Sequence, residues 1–192
     1  MKRYFALIII VGIAVTLSAC GGGSKLVKSP HSDLQLEANK LIKDGGLAVV
    51  GTGISSREDI ARNKAQNDGR TKLAQSLETK VKAYEKQFQE EIGSAGEAEI
   101  NEAFQSVSEQ LSKTVLVGVL PVKEAITMKD SKYTIYTIMA IDPKTFMQSF
   151  QDQMKEQKAL YTRYRQSKMH DEMEKKLEDY DKFYKSLTYD FE

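Results

Sequence analysis

The sequence predicts an α+β fold: a small sheet of about three strands, packed by an amphipathic helix and continued by long helical extensions. Three observations carry that expectation. Tyr133–Ile141 is dense in β-branched and aromatic residues, as a return strand is. Ala61, Ala65, Gly69, Leu73, Leu77, Val81, Tyr84, Phe88 and Ile92 recur every three or four residues, the period of one helix face. Asp142-Pro143 supplies an N-cap and a proline at the first helical position, and a helical pattern runs from there nearly to the end.

At the N-terminus, Lys2 and Arg3 precede an apolar stretch from Tyr4 to Leu17, which closes on Leu17-Ser18-Ala19-Cys20. Early cations, a short apolar core and small residues before a cut describe a secretory signal over residues 1–19. The apolar stretch falls short of the about 20 residues a spanning helix needs, and no other segment comes closer, so the mature chain is expected to have no transmembrane helix. The small residues directly before Cys20 resemble the signal of bacterial lipoproteins. That resemblance implies cleavage before Cys20, lipid on its sulfur and acylation (palmitate among the chains) of the new amine. Two or more acyl chains anchor stably where one does not. In the same pattern an Asp after the cysteine goes with inner-membrane retention; Gly21 stands here, which favours the outer membrane of the cell envelope.

Cys20 is the only cysteine among 192 residues, and lipidation would consume it. No intramolecular disulfide, thiolate nucleophile or cysteine zinc site is then open to the fold. Removing residues 1–19 leaves 173 residues carrying 26 basic and 27 acidic side chains, a formal charge of −1. A near-neutral exported chain is a poor candidate for nucleic acid.

The elements follow in order. Residues 20–45 read as the lipidated cysteine and a flexible tether, with Gly21-Gly22-Gly23-Ser24 at its start and Pro30 and His31 within it. A short helical piece is expected around Leu34–Ile42, ending at Asp44-Gly45-Gly46. Leu47–Ile54, apolar and bounded by glycines, predicts a strand. Ser55 with Glu58 predicts a capping box for the helix that follows. Continuous from Arg57 to Ile92, that helix would be about 54 Å long, longer than a small domain is wide. Gly93-Ser94-Ala95-Gly96 breaks it, and Ser94 with Glu97 predicts a second capping box. Ile100, Phe104, Val107 and Leu111 stripe the next helix, so an antiparallel helical hairpin is expected as an insertion over about 82–113. Val115–Leu120 predicts a strand running into Pro121, which argues for a bulge or an edge position. The strand continues from Val122 to Met128, and Lys129-Asp130-Ser131 is the turn into Tyr133–Ile141. Residues 151–192 read as one C-terminal amphipathic helix.

Val50-Gly51-Thr52-Gly53, followed by Ile60-Ala61-Arg62-Asn63-Lys64-Ala65-Gln66-Asn67-Asp68-Gly69-Arg70-Thr71-Lys72-Leu73-Ala74, resembles the LPP20 family of bacterial lipoproteins. The family pattern is a strand ending in glycine, then a helix with alanines every four residues and Asp-Ala-Arg before Leu-Ala; here Gly69 replaces that alanine. The resemblance covers about residues 46–150 and implies a helix packed on a small sheet in a surface- or periplasm-facing lipoprotein. It brings no catalytic residues.

The motifs that carry chemistry are weak. Gly51-Thr52-Gly53 has Ser56 where a dinucleotide turn needs its third glycine, and reads as a tight strand-to-helix turn. The two histidines are isolated: His31 lies in the tether, and His170 has Glu174 one turn on but no third ligand. Asp68 and Arg70 read as partners of neighbouring elements. No catalytic residue, metal or cofactor is expected, and the chain reads as non-enzymatic. Met169, Met173, Leu177, Tyr180, Tyr184 and Leu187, at spacings of four, four, three, four and three, approach a heptad seam. They are the candidate partner-binding residues, for an envelope protein or for self-association, with packing on the chain's own domain as the competing reading. The expected function is a lipid-anchored envelope lipoprotein that binds or scaffolds other envelope components. The alternatives are a regulator of a cell-wall or flagellar assembly machine, and an envelope hydrolase with a carboxylate site.

Overall fold

A computed structural model describes residues 29–189 except 44, 94, 95, 117 and 118, with side chains as far as Lys182. Residues 1–28, where the signal peptide, the lipidated Cys20 and the start of the tether are expected, lie outside the described residues. The described chain forms six helices and one antiparallel sheet in the order α1 (Pro30–Lys43), β1 (Leu47–Ser55), α2 (Glu58–Ile92), α3 (Glu97–Val115), β2 (Pro121–Lys129), β3 (Lys132–Ile141), α4 (Pro143–Glu156), α5 (Lys158–Arg165) and α6 (Lys168–Tyr189). The fold is α+β, a small sheet with long helices.

β3 is the central strand of the order β1-β3-β2. β1 pairs with it from Leu47 opposite Ile141 to Ser55 opposite Tyr133. β2 pairs on the other side as far as Lys129 opposite Lys132, with a register shift between Pro121 and Lys123. Both features expected of Pro121, the edge and the irregularity, are present. Asp130 and Ser131 turn the hairpin with φ of 49° and 58°, the left-handed pair that matches strand twist.

The sheet is covered on both faces. On one, Leu34 and Ala38 of α1 pack with Ala48, Val50 and Ile138. α1 therefore starts at Pro30, inside the expected tether, because its apolar pair has a sheet face to bury. On the other face α2 lies against β1 so closely that a Cβ at Gly51 would meet the Ala65 carbonyl oxygen, and one at Gly53 that of Ala61. The two glycines sit within the strand and are not the tight turn their spacing predicts. They are small because a helix backbone rests on them.

The capping boxes differ too. Ser55 ends β1, the N-cap of α2 is Arg57 in extended conformation, and no side chain caps it. The helix start instead carries Glu58 and Asp59 in its first turn, where carboxylates suit the helix dipole. At α3 the N-cap is Gly96 in the left-handed region rather than Ser94, which lies outside the described residues. The Asp142 cap is as expected: its carboxylate accepts the Thr145 N–H at 2.9 Å, with Pro143 at the start of the helix.

Val115 is helical, not the start of a strand. Val107, Leu111 and Val115 continue one buried stripe at four-residue spacing, and that packing overrides the β-branched composition. β2 begins only at Pro121.

The C-terminal pattern breaks into three helices instead of one. Gln157 leaves the helical region at φ −84°, ψ 69°. At the next break Ser167 Oγ donates to the Tyr164 carbonyl at 2.6 Å and accepts the His170 N–H at 3.2 Å, which starts α6. These turns bend the amphipathic stretch around the α2–α3 hairpin. One apolar cluster results, drawing Leu73 and Phe88 from α2, Phe104 from α3, Met139 from β3, Phe150 from α4, Tyr164 from α5 and Met173 from α6. Phe150 sits at its centre, with ring centroids 5.3 Å from Tyr84, 6.1 Å from Phe104, 6.2 Å from Phe146 and 6.2 Å from Tyr164. Residues on both sides of position 150 thus share a single core.

Candidate functional site

Along the candidate partner seam, Met169 is 1% and Met173 2% exposed, both inside the shared cluster. Leu177 is half-buried against it. Tyr180 is half-buried, and the side chains of Tyr184 and Leu187 lie outside the described residues. The first turns of the seam are therefore spent on the chain's own core.

The most organised polar feature lies elsewhere, along the free edge of β1. An edge strand leaves a row of backbone N–H and C=O groups unpaired. Here one face of α2 meets that row. Lys64 Nζ donates to the Ile54 carbonyl at 3.3 Å, Asp68 accepts the Thr52 N–H at 2.8 Å, and Lys72 Nζ donates to the Val50 carbonyl at 3.1 Å. Further along, Lys80 Nζ donates to the carbonyls of Gly45 and Gly46. Residues 64, 68, 72 and 80 fall at multiples of four, so they stand in one row on the helix. Lys72 also donates to Asp68 at 2.6 Å. Burial works against the charge on Asp68, but the Lys72 ammonium and the Thr52 N–H outweigh it and hold the carboxyl below the ordinary aspartate range. Arg70, expected like Asp68 to pair with a neighbouring element, donates to the Val119 carbonyl at 3.4 Å.

Between this row and α1 runs a groove of about 650 Å³. Its floor is the edge of β1 at 47–50. Gln75, Ser76 and Thr79 of α2 form one wall, and His31 and Gln35 of α1 the other. His31 is thus in α1 rather than in a tether, its ring 5.5 Å from that of Tyr136. Lys80 lines the same groove, half-buried, with its ammonium 4.3 Å from the centre of the Phe146 ring. Burial, and then the nearby Lys176, push the Lys80 ammonium down to about 8. Among the described residues no carboxylate lines the groove.

A larger cleft of about 1010 Å³ separates α2 and α3, and its rim mixes Glu78, Glu85 and Glu109 with Lys82 and Lys113, so most of its charge is offset within the rim. The second histidine, His170, packs edge-on against Tyr164 at 5.1 Å, with Nε2 3.9 Å from Glu174. Burial, then the Glu174 carboxylate, hold the Tyr164 phenol well above the usual range. Among the described residues no three acidic, histidine or cysteine side chains converge as metal ligands.

Sequence reasoning missed the groove. Its signal was present as Lys64, Asp68, Lys72 and Lys80 at helical spacing, but which strand they faced was not.

No family model, no curated protein and no solved structure matches this chain.

Proposed function

We propose that this protein is a lipid-anchored lipoprotein of the cell envelope, held through Cys20, and that it works by binding other envelope components rather than by catalysis. The observation that carries the reading is Leu17-Ser18-Ala19-Cys20 behind two cations and a short apolar core. The LPP20-like segment at Val50–Gly53 and Ile60–Ala74 is a resemblance that agrees with it. Nine residues separate Cys20 from Pro30, the first helical residue, so their fully extended reach is on the order of 30 Å. An anchored domain of this kind would work close to the headgroups. Gly21 after the cysteine favours the outer membrane.

The test is fractionation of cells expressing the full chain and its Cys20→Ser variant. The unaltered chain is expected in the membrane pellet, with the variant released to the soluble fraction. Retention of the variant in the pellet overturns the reading.

A further inference from the structure

β2, the other edge of the sheet, pairs only with β3 among the described residues. Of the eight large hydrophobic side chains exposed among those residues, four fall on β2 or directly before it. They are Leu120, Val122, Ile126 and Met128, between 47% and 73% exposed. Exposed apolar groups gathered on one element mark a contact surface.

Two observations choose what that surface meets. The first is that the edge is guarded against another strand. Pro121 stands at its start, a register shift follows between Pro121 and Lys123, and Lys123 and Lys129 bracket Ile126 and Met128. Proline, an irregularity and lysines are the devices that keep strands off an edge, so the occupant is one that needs no main-chain pairing. The second is where the chain enters the fold. α1 runs beside β2, where Lys123 Nζ donates to the Glu37 carboxylate at 2.6 Å. The first turn of α1 places His31 against Tyr136, the residue opposite Ala125 of β2. Nine residues separate Cys20 from Pro30, a reach on the order of 30 Å, so lipid on Cys20 lies within reach of the strand.

We propose that β2 rests on the lipid surface, with Leu120, Val122, Ile126 and Met128 seated where headgroups meet acyl chains. Water still reaches the strand's unpaired backbone groups at that depth, as it does not in the hydrocarbon interior. Lys129 and Lys132 stand opposite each other at the hairpin turn, both exposed. Their stems can lie along the apolar surface while the ammonium groups reach headgroup phosphates. The carboxylates beside the strand are already held, Glu124 by Arg62 and Glu37 by Lys123. Four side chains that the fold already partly covers bury no more than a single myristoyl chain does, and one such chain binds only marginally. The short tether supplies the rest, as an effective concentration on the order of millimolar. The contact therefore seats an anchored chain, and Cys20→Ser still leaves the membrane. Because β1 and β2 are opposite edges of one sheet, the β1 groove is turned away from the lipid.

The test uses the full chain purified with its lipid and placed in vesicles of phosphatidylcholine and phosphatidylglycerol. Lipidation occupies Cys20, so Met128→Cys and, separately, Gln105→Cys on the exposed side of α3 each offer one thiol for an NBD label. Nitroxide-bearing lipid is expected to quench the label at 128 severalfold more than the label at 105. Val122→Asp with Ile126→Asp, both at exposed positions, is expected to bring quenching at 128 down to the level at 105 with circular dichroism unchanged. Ile126→Gln alone is the milder variant, expected to lower the quenching in part, and covers the case in which the double variant fails to fold. Equal quenching at the two positions, or quenching that survives these substitutions, overturns the proposal. So does a label at 128 shielded from both the lipid nitroxide and aqueous iodide, which would mean that a second copy covers the strand. The inference rests on the reading that Cys20 holds the chain on lipid, and flotation of the vesicles separates the two. A chain that does not float removes both, whereas a floating chain whose position 128 stays in water removes this one alone.

Discussion

Asp68, three turns into α2, accepts the backbone N–H of Thr52 across the open edge of β1 at 2.8 Å. The helix thereby supplies, through side chains, part of what a fourth strand would supply through its backbone. Lys64 and Lys72 extend the same arrangement one turn to either side.

Removing that acceptor leaves a strand amide unpaired. Asp68→Ala is expected to cost about 1–2 kcal/mol in urea unfolding and to raise self-association in light scattering, because the edge is reopened. Asp68→Asn, which keeps an acceptor oxygen, should fall between the two. The carboxyl also titrates below its ordinary value in the fold. Its stabilisation is therefore complete above the unfolded value, about pH 4, and fades as pH falls through the folded one. Asp68→Asn should lack that part of the acid limb.

The close approach of α2 to β1 makes Gly53 intolerant of a side chain. Gly53→Ala puts a methyl group on the Ala61 carbonyl and the Ala65 amide, both backbone, so neither can swing away. Overpacking of this kind costs about 1–3 kcal/mol, expected as a lowered melting temperature in circular dichroism. Gly93→Ala is the control for lost glycine in general; nothing lies within 4 Å of a Cβ there, but its φ of 81° carries its own strain.

Met173 lies in the core, so truncating it should read as a stability defect. Met173→Ala is expected to cost about 2–5 kcal/mol in chemical denaturation. A variant that kept full stability would show that α6 is not packed as described.

Lys80 gives a pH dependence of the same sign as Asp68 in a separate, alkaline window, because its folded value is also lowered. Its folded value is about 8. The unfolded value is about 10.4. Between them the unfolded chain binds the proton and the folded chain does not, so stability should rise as pH climbs through that window. Lys80→Met should flatten the rise. The check is a series of urea titrations from pH 7 to 10.5, within about one pH unit at each end.

Much of the architecture was legible from periodicity alone. The stripe from Ala61 to Ile92 names the buried face of α2, and Tyr133–Ile141 the central strand, because each element buries one face and its apolar residues must repeat with its own period. Local rules failed where a tertiary partner outweighed the composition of a segment. Ser55 had the composition of a cap and became the end of a strand, since Tyr133 stood ready to pair with it. Val115 had the composition of a strand and became the end of a helix, since Leu111 and Val107 already faced the core.

The sequence by itself determined the α+β class, the stripe of α2 and the hairpin through Asp130-Ser131, all properties of residues near one another along the chain. Only the tertiary structure decided that the hairpin and the C-terminal helices close one core around Phe150, and that a row of charged residues on α2 bonds the β1 edge. The physical reason is that a helix face declares which residues share it but not what lies opposite. Asp68 and Thr52 are sixteen residues apart, and no local period couples a helix side chain to one particular strand amide.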